Sequence, residues 1–168
     1  INEIQVWVLG TNVIENDYDI SGSDPSNNDT TLYDVEYAVN EDVTNINDGS
    51  YNFFYSVDAN PFIEITLDKS YKLDSLYSIV IYNNMEYGAD ISGARLTIYD
   101  EYENNIYTGD INVLTNYYRF DGASIGNATL VGGSGSENGI IDGNTDFSYN
   151  KLKFGINNNL FPIGDVSI

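Results

Sequence analysis

Oxygen donors crowd one short segment of the chain. Asn45, Asn47, Asp48, Ser50 and Asn52 lie around the turn dipeptide Asp48-Gly49. A hard cation such as Ca²⁺ takes six to eight oxygens from carboxylates, amides and carbonyls, so residues 45–52 carry suitable ligand types. The same residues equally make a hydrogen-bonded Asx turn that holds no metal. A second set has the chemistry of sugar recognition, which needs aromatic faces for C–H surfaces and polar side chains for hydroxyls. Tyr51, Phe53, Asn83, Asn84, Tyr87 and Arg119 are of those types and fall in predicted loops or at strand ends. Taken singly, each ring is better read as core or as an ordinary surface aromatic.

Covalent catalysis has little to work with. The chain contains no His and no Cys, which removes Ser-His-Asp and Cys-His nucleophiles and His-based zinc or iron sites. With 26 acidic residues, some pair will stand at a glycosidase-like separation by chance, so carboxylates alone identify no hydrolase. The expectation is a non-enzyme with no catalytic residue. A net charge of −20 over 168 residues repels phosphate backbones and anionic membranes, which argues against nucleic-acid and lipid-surface partners. No apolar run approaches the length of a membrane span. The first residue is Ile1, within a strand-like run, which suggests a processed or excised piece of a longer protein.

The elements that must position these residues read as strands. Fifteen Tyr and seven Phe, with abundant Ile and Val, favour sheet over helix. In residues 62–108, Ile63, Ile65 and Leu67 alternate with Glu64, Thr66 and Asp68, the period-2 pattern of a strand with one buried face. A nearly continuous apolar run over 76–82 predicts a buried strand, and Leu96 to Tyr99 resumes the alternation. Residues 1–8 alternate as well, with Ile4, Val6 and Val8 on one side and Glu3, Gln5 and Trp7 on the other. Residues 15–31 read as a long polar loop, 33–39 as an acidic edge strand, and 111–114 and 117–120 as further strands. About ten short strands separated by turn signals predict an antiparallel β-sandwich or jelly roll. The whole chain, 1–168, reads as one such domain, in which 126–168 add Gly-rich strands and an apolar tail.

The ordered segments NINDGSYNFFYS, FIEITLDKSYKLDSLYSIVIYN and ISGARLTIYDEYENNIYT resemble the discoidin, or coagulation factor 5/8 type C, modules of the galactose-binding-like superfamily. Asn47-Asp48-Gly49 matches the family's Ile-Asp-Gly turn, and residues 62–68, 80–83 and 93–100 match its Trp-Ile-x-Ile-Asp-Leu-Gly, Ile-Tyr-Asn and Gly-Ala-x-Leu-x-Leu-x-Asp strands. The opening INEIQVWV is similar to a terminal strand of such modules. The likeness covers about residues 1–125. Phe54 and Phe62 stand at the family's Trp positions, Thr66 and Asp68 replace its Asp and Gly, and Asp90 stands where relatives often carry Arg. The resemblance implies a galactose-binding-like jelly roll with a structural Ca²⁺ at the Asp-Gly loop, completed by a Glu from a terminal strand. Here that Glu is Glu3, joining Asn45, Asp48, Ser50 and Asn52, although the family's Thr ligand position reads Asn52. Only this resemblance raises the sugar-contact set above the reading of its rings as core or ordinary surface aromatics.

The expected function is a non-catalytic carbohydrate-binding or adhesion module of a larger extracellular, cell-surface or virion-surface protein. It would bind a glycan or a neighbouring protein subunit. The alternative expectation is a capsid, fibre or filament subunit that assembles through protein contacts, as a homo-oligomer or larger array, with residues 160–168 as a docking tail.

Overall fold

The computed structural model describes residues 1, 3–14, 18–24, 34–40, 54–56, 58, 60–83, 91–115, 117–125 and 147–156. Their strands form two antiparallel sheets, as the alternating pattern predicts. The first sheet is ordered β2-β1-β5-β8, built from β1 (Glu3–Val8), β2 (Thr11–Asn12), β5 (Leu76–Tyr82) and β8 (Tyr117–Asp121). The second is ordered β3-β4-β9-β6-β7. It comprises β3 (Tyr18–Gly22), β4 (Phe62–Lys72), β6 (Ala94–Tyr99), β7 (Asn105–Asp110) and β9 (Ser148–Ile156).

Alternation turns Ile4 and Val6 inward, beside Ile79 and Ile81 across the β1–β5 ladder. The opposite sheet supplies Ile63, Ile65, Leu96, Ile98, Leu152 and Phe154, and all ten of these side chains are buried in one cluster. Each fully buried aliphatic or aromatic side chain stabilises the fold by roughly 1.5–3 kcal/mol relative to exposure. The chain changes sheets between β2 and β3, β4 and β5, β5 and β6, β7 and β8, and β8 and β9. Non-local pairing of this kind makes a jelly-roll sandwich rather than a row of hairpins.

Several elements differ from the sequence reading. Within the predicted polar loop 15–31 lies the edge strand β3, where Tyr18 and Ile20 alternate with Asp19 and Ser21 and pair with β4. Its inward side is only half buried, so its apolar signal is weak. Residues 35–39, within the predicted acidic strand, form a short 3₁₀ helix. Asp34 starts it by accepting the Glu36 N–H at 3.1 Å, a capping bond that a strand would not use. Residues 111–114 are not a strand; Ile111 alone is buried there, and Val113 and Leu114 are exposed. Strand β9 occupies the middle of the second sheet, between β4 and β6, although the resemblance reaches only to about residue 125. The expected tail 160–168 lies outside the described residues.

The turn between β6 and β7, residues 100–104, has a clear cause. Asp100 accepts the backbone N–H groups of Tyr102 and Asn104 at 2.9 and 2.8 Å and the Asn104 side-chain amide at 2.9 Å. Partial burial works against the Asp100 charge, but these donors prevail and hold its pKa below the ordinary value.

Tyr149 on β9 is fully buried, and its hydroxyl has no hydrogen-bond partner among the described residues. Burial, with a smaller contribution from Tyr71, pushes the phenol pKa upward. A buried hydroxyl without a partner opposes folding by about 1–3 kcal/mol. Tyr149→Phe keeps the ring and removes that oxygen, so its unfolding midpoint in urea should equal or exceed that of the parent. A lowered midpoint, equivalent to a stability loss of more than about 1 kcal/mol, would show that the hydroxyl is bonded in solution.

Candidate functional site

One end of the sandwich gathers the anchors of both predicted binding loops. Strand β1 begins there at Glu3 and β5 ends there at Tyr82, which are cross-strand partners. Strand β8 begins there as well, with Tyr117 opposite Tyr82. From the second sheet, β6 starts at Ala94 and β7 ends at Asp110 beside Arg95. Ile1 and Phe54 exchange backbone hydrogen bonds, Ile1 N to Phe54 O at 2.7 Å and Phe54 N to Ile1 O at 2.9 Å. This bridge ties the residue that follows segment 45–53 to the start of β1. Asn83 and Ile91 bracket segment 84–90, and the Ile91 N–H donates to the Thr115 carbonyl at 2.8 Å.

Glu3 shares its side of β1 with Gln5 and Trp7 by alternation, and both of those side chains are partly exposed. The sequence reading puts Glu3 on the same wet side, yet it has 0% exposure. Its carboxylate is therefore covered by other parts of the molecule. Ionised oxygen with no access to water must be held by hydrogen bonds or a cation. Its cross-strand partner Tyr82 packs edge-on to Tyr117 with ring centroids 5.1 Å apart. Burial, then Tyr117 and then Glu3, raise the Tyr82 phenol pKa. The donors expected to join Glu3 around a metal, Asn45, Asp48, Ser50 and Asn52, lie outside the described residues. Among the described residues no three acidic side chains cluster as a ligand set.

Of the sugar-contact candidates, Tyr51, Phe53, Asn84 and Tyr87 also lie outside the described residues. Asn83 directly follows β5 and is buried, with 6% exposure. That leaves its side chain little surface to offer a ligand from this position. Arg119 lies on β8 opposite Val80, three residues back along β5 from Asn83, so the ladder does not place the two side by side. Its guanidinium covers the Tyr77 ring at 4.7 Å and approaches Asp121 at 4.0 Å. The hydrogen bond to Tyr77 is the main influence raising the Arg119 pKa. Apolar surface is present at this end in residues that sequence reasoning did not select: Leu114 is 85% exposed and Tyr117 46%. The first fell in an expected strand, and nothing in its sequence neighbourhood marks it as surface.

A second polar and aromatic concavity, of about 550 Å³, crosses the outer side of the five-stranded sheet. Phe62, Arg95, Tyr99 and Lys153 line it. Phe62 enters the sequence reading as a strand residue at a family Trp position and not as a ligand contact, and the other three are ordinary outward residues of alternating strands.

No family model matches the chain, and no curated protein matches it. Solved structures with the same fold do. A fucose-binding module of Streptococcus pneumoniae, SpX-3, superposes with a TM-score of 0.57 at 15% identity, over 87% of each chain. The lectin domain of lectinolysin complexed with Lewis B antigen gives 0.58 at 12% identity, over 87% of this chain and 86% of that one. A variant of the lectinolysin domain complexed with Lewis b gives the same score over 88% and 87%. At such identities the likeness establishes the shared all-β sandwich and nothing about residues at a site.

Proposed function

We propose that the chain is a non-catalytic carbohydrate-binding module whose glycan sits on the sandwich end bounded by Phe54, Asn83, Ile91 and Leu114. The observation that carries this reading is the convergence of loop anchors. Segment 84–90, with Asn84 and Tyr87, is flanked on both sides by residues at one end of the sandwich, and Phe54, which follows segment 45–53 with Tyr51 and Phe53, is bonded to Ile1 at that same end. Loops on a fixed scaffold are where such folds place recognition. The two solved modules of this fold are described as a fucose-binding module and a lectin domain holding a Lewis antigen, which supports a fucosylated glycan as the first ligand class to test. Exposed apolar surface and Tyr rings would contact C–H faces, and amides would meet hydroxyls. Such a module would belong to a larger protein acting outside the cell or on a particle surface.

A structural Ca²⁺ belongs to this proposal. The residues present fit it in chemistry: a fully buried carboxylate, Glu3, lies two residues from the Ile1–Phe54 bridge. The oxygen-rich segment 45–52 precedes Phe54, the other partner of that bridge, in the sequence. Bound there, the ion would neutralise Glu3 and fasten the loop to β1, leaving sugar contact to the side chains.

Titration with fucose and with Lewis b tetrasaccharide, followed by calorimetry in the presence of Ca²⁺, tests the reading. We expect saturable binding, weakened about tenfold or more by Tyr87→Ala or Tyr51→Ala if either ring stacks on the sugar. If a wider glycan array also yields no binder at about millimolar affinity, the lectin reading fails.

A further inference from the structure

The outer side of the five-stranded sheet carries a second site with its own chemistry. Register fixes its layout. Phe62, Gly155, Arg95 and Asp110 form one cross-strand row over β4, β9, β6 and β7. Glu64, Lys153, Thr97 and Thr108 form the next, and Thr66, Lys151 and Tyr99 the third. Gly155 interrupts the first row with no side chain, which leaves a trough between Phe62 and Arg95. A Cβ there would meet the Pro61 carbonyl oxygen at 2.8 Å and the Phe62 Cβ at 3.1 Å. Asn60, Asn105 and Thr108 complete the lining.

The charges in this patch are mutually satisfied. Arg95 grips Asp110 through two parallel bonds, Nε to Oδ1 at 2.5 Å and a second guanidinium nitrogen to Oδ2 at 2.9 Å. This hydrogen bond comes first among the causes that lower the Asp110 pKa. Lys151 bonds Glu103 and stands 3.7 Å from Glu64, whose other oxygen is 3.9 Å from Lys153. Three cations thus face three carboxylates, Asp110, Glu64 and Glu103, and Asp19, beside Thr66 on β3, adds a further carboxylate at the edge of the face, so the patch has no excess of positive charge, on a chain of charge −20. None of the three carboxylates lines the trough itself. Lys153 lies with its ammonium 4.3 Å from the centre of the Phe62 ring, which fixes its position.

We propose that this trough is a binding site for a neutral, extended oligosaccharide, separate from the loop end. A polyanion gains no net attraction from a patch without excess positive charge inside a strongly negative field. A polyhydroxylated neutral chain meets what it needs: two rings, two threonine hydroxyls, asparagine amides and a guanidinium held rigid by its carboxylate partner. Phe62 and Tyr99 stand two strands apart and four residues apart along the strands. At ~4.8 Å per strand and ~3.3 Å per residue they are about 16 Å apart. One pyranose ring cannot touch both, so the ligand is a chain of several sugars. A volume of about 550 Å³ falls within the usual range for an organic ligand site.

The experiment is a heteronuclear NMR titration of the intact protein with cellotetraose, mannotetraose, xylotetraose and an oligogalacturonate. The signals to follow are the Arg95 Nε–H and the backbone amides of Thr97, Thr108 and Gly155. We expect one neutral tetrasaccharide to shift these signals together, and Tyr99→Ala to weaken that binding about tenfold. Lys153→Met serves as a second variant should Tyr99→Ala unfold. Tyr87→Ala, at the other site, should leave the groove shifts unchanged, so failure here is distinguishable from failure of the lectin reading. The proposal is overturned if none of the three neutral chains shifts the groove signals at about 10 mM, if the oligogalacturonate binds more tightly than all of them, or if the folded variants bind as the parent does.

Discussion

Gly122→Ala should cost the protein about 3 kcal/mol or more, the upper end of what overpacking does. Gly122 opens the single helical turn, residues 122–125, that directly follows β8. A Cβ at this position would enter the carbonyl of Leu76, meeting its carbon at 2.6 Å and the Tyr77 oxygen at 2.9 Å, with the Leu76 oxygen nearer still. All three atoms are backbone, so no rotamer change relieves the clash. The neighbouring ladder is held by the pairing of Ser78 with Asp121. Asp121 also accepts the N–H groups of Ala123 and Ser124 at 3.0 and 3.2 Å, so the turn cannot shift without losing its cap. The control is Gly10→Ala. Gly10 has φ +87° and nothing within 4 Å of an added Cβ, so only left-handed strain is at stake, about 1–2 kcal/mol. At roughly 2–4 °C per kcal/mol for a chain of this size, thermal unfolding should fall by about 6–12 °C for Gly122→Ala and visibly less for Gly10→Ala. Equal midpoints for parent and Gly122→Ala would mean that β5 and the helical turn do not approach as described.

The sandwich was legible wherever one face of a strand is dry. In β4 and β6, Ile63, Ile65, Leu96 and Ile98 are buried and their neighbours half exposed, so period-2 alternation reports the sheet directly. It failed at the margins for two physical reasons. The inward side of edge strand β3 is only partly covered, so little selection for apolar residues marks it against a polar background. In residues 35–39 the alternation of Val35, Tyr37 and Val39 mimics a strand. The local bond from Asp34 to the Glu36 N–H, with Ala38 and Val39 buried, settles a 3₁₀ turn instead. The position of β9 was illegible for another reason: nothing in SYNKLKFGI says which strands it will separate, because pairing order is a property of the whole topology.

The candidate sites divide along the same line. Glu3 stands out through a family likeness alone, on a strand side where alternation expects water, and its complete burial is information the pattern does not carry. Arg119 reads in the sequence as a guanidinium near a strand end, but it lies over Tyr77 on a sheet face. The groove of Phe62, Arg95, Tyr99 and Lys153 was missed because its members are spread over three strands and 92 positions of sequence, from 62 to 153 inclusive. Only the register Phe62–Gly155–Arg95 brings them into one row and its neighbours.

Glu3 also gives the second large effect. If its carboxylate faces a calcium ion shared with segment 45–52, then binding to the folded chain alone stabilises it by about 2.7 kcal/mol at a hundredfold excess over Kd. That is about 5–11 °C in thermal unfolding at the same conversion. Chelator-treated protein should therefore show a lower midpoint, restored by Ca²⁺ and not by Mg²⁺, whose small octahedral shell suits a loop of amide and carboxylate oxygens poorly. Glu3→Gln preserves shape and removes the charge. Without metal it should be as stable as the parent or more so, because burying an ionised group is costly unless it is paired. With Ca²⁺ it should gain little. The two arms separate the ways of holding a buried carboxylate. Should hydrogen bonds alone keep Glu3, the parent will not respond to Ca²⁺ up to about 10 mM and Glu3→Gln will lose stability through a broken bond. A Ca²⁺ response equal in parent and Glu3→Gln would place the ion elsewhere and remove Glu3 from its ligands. If the expected pattern holds, Ca²⁺ also tightens the Ile1–Phe54 bridge, and glycan affinity at the loop end should fall on chelation while the trough on the five-stranded sheet is unaffected.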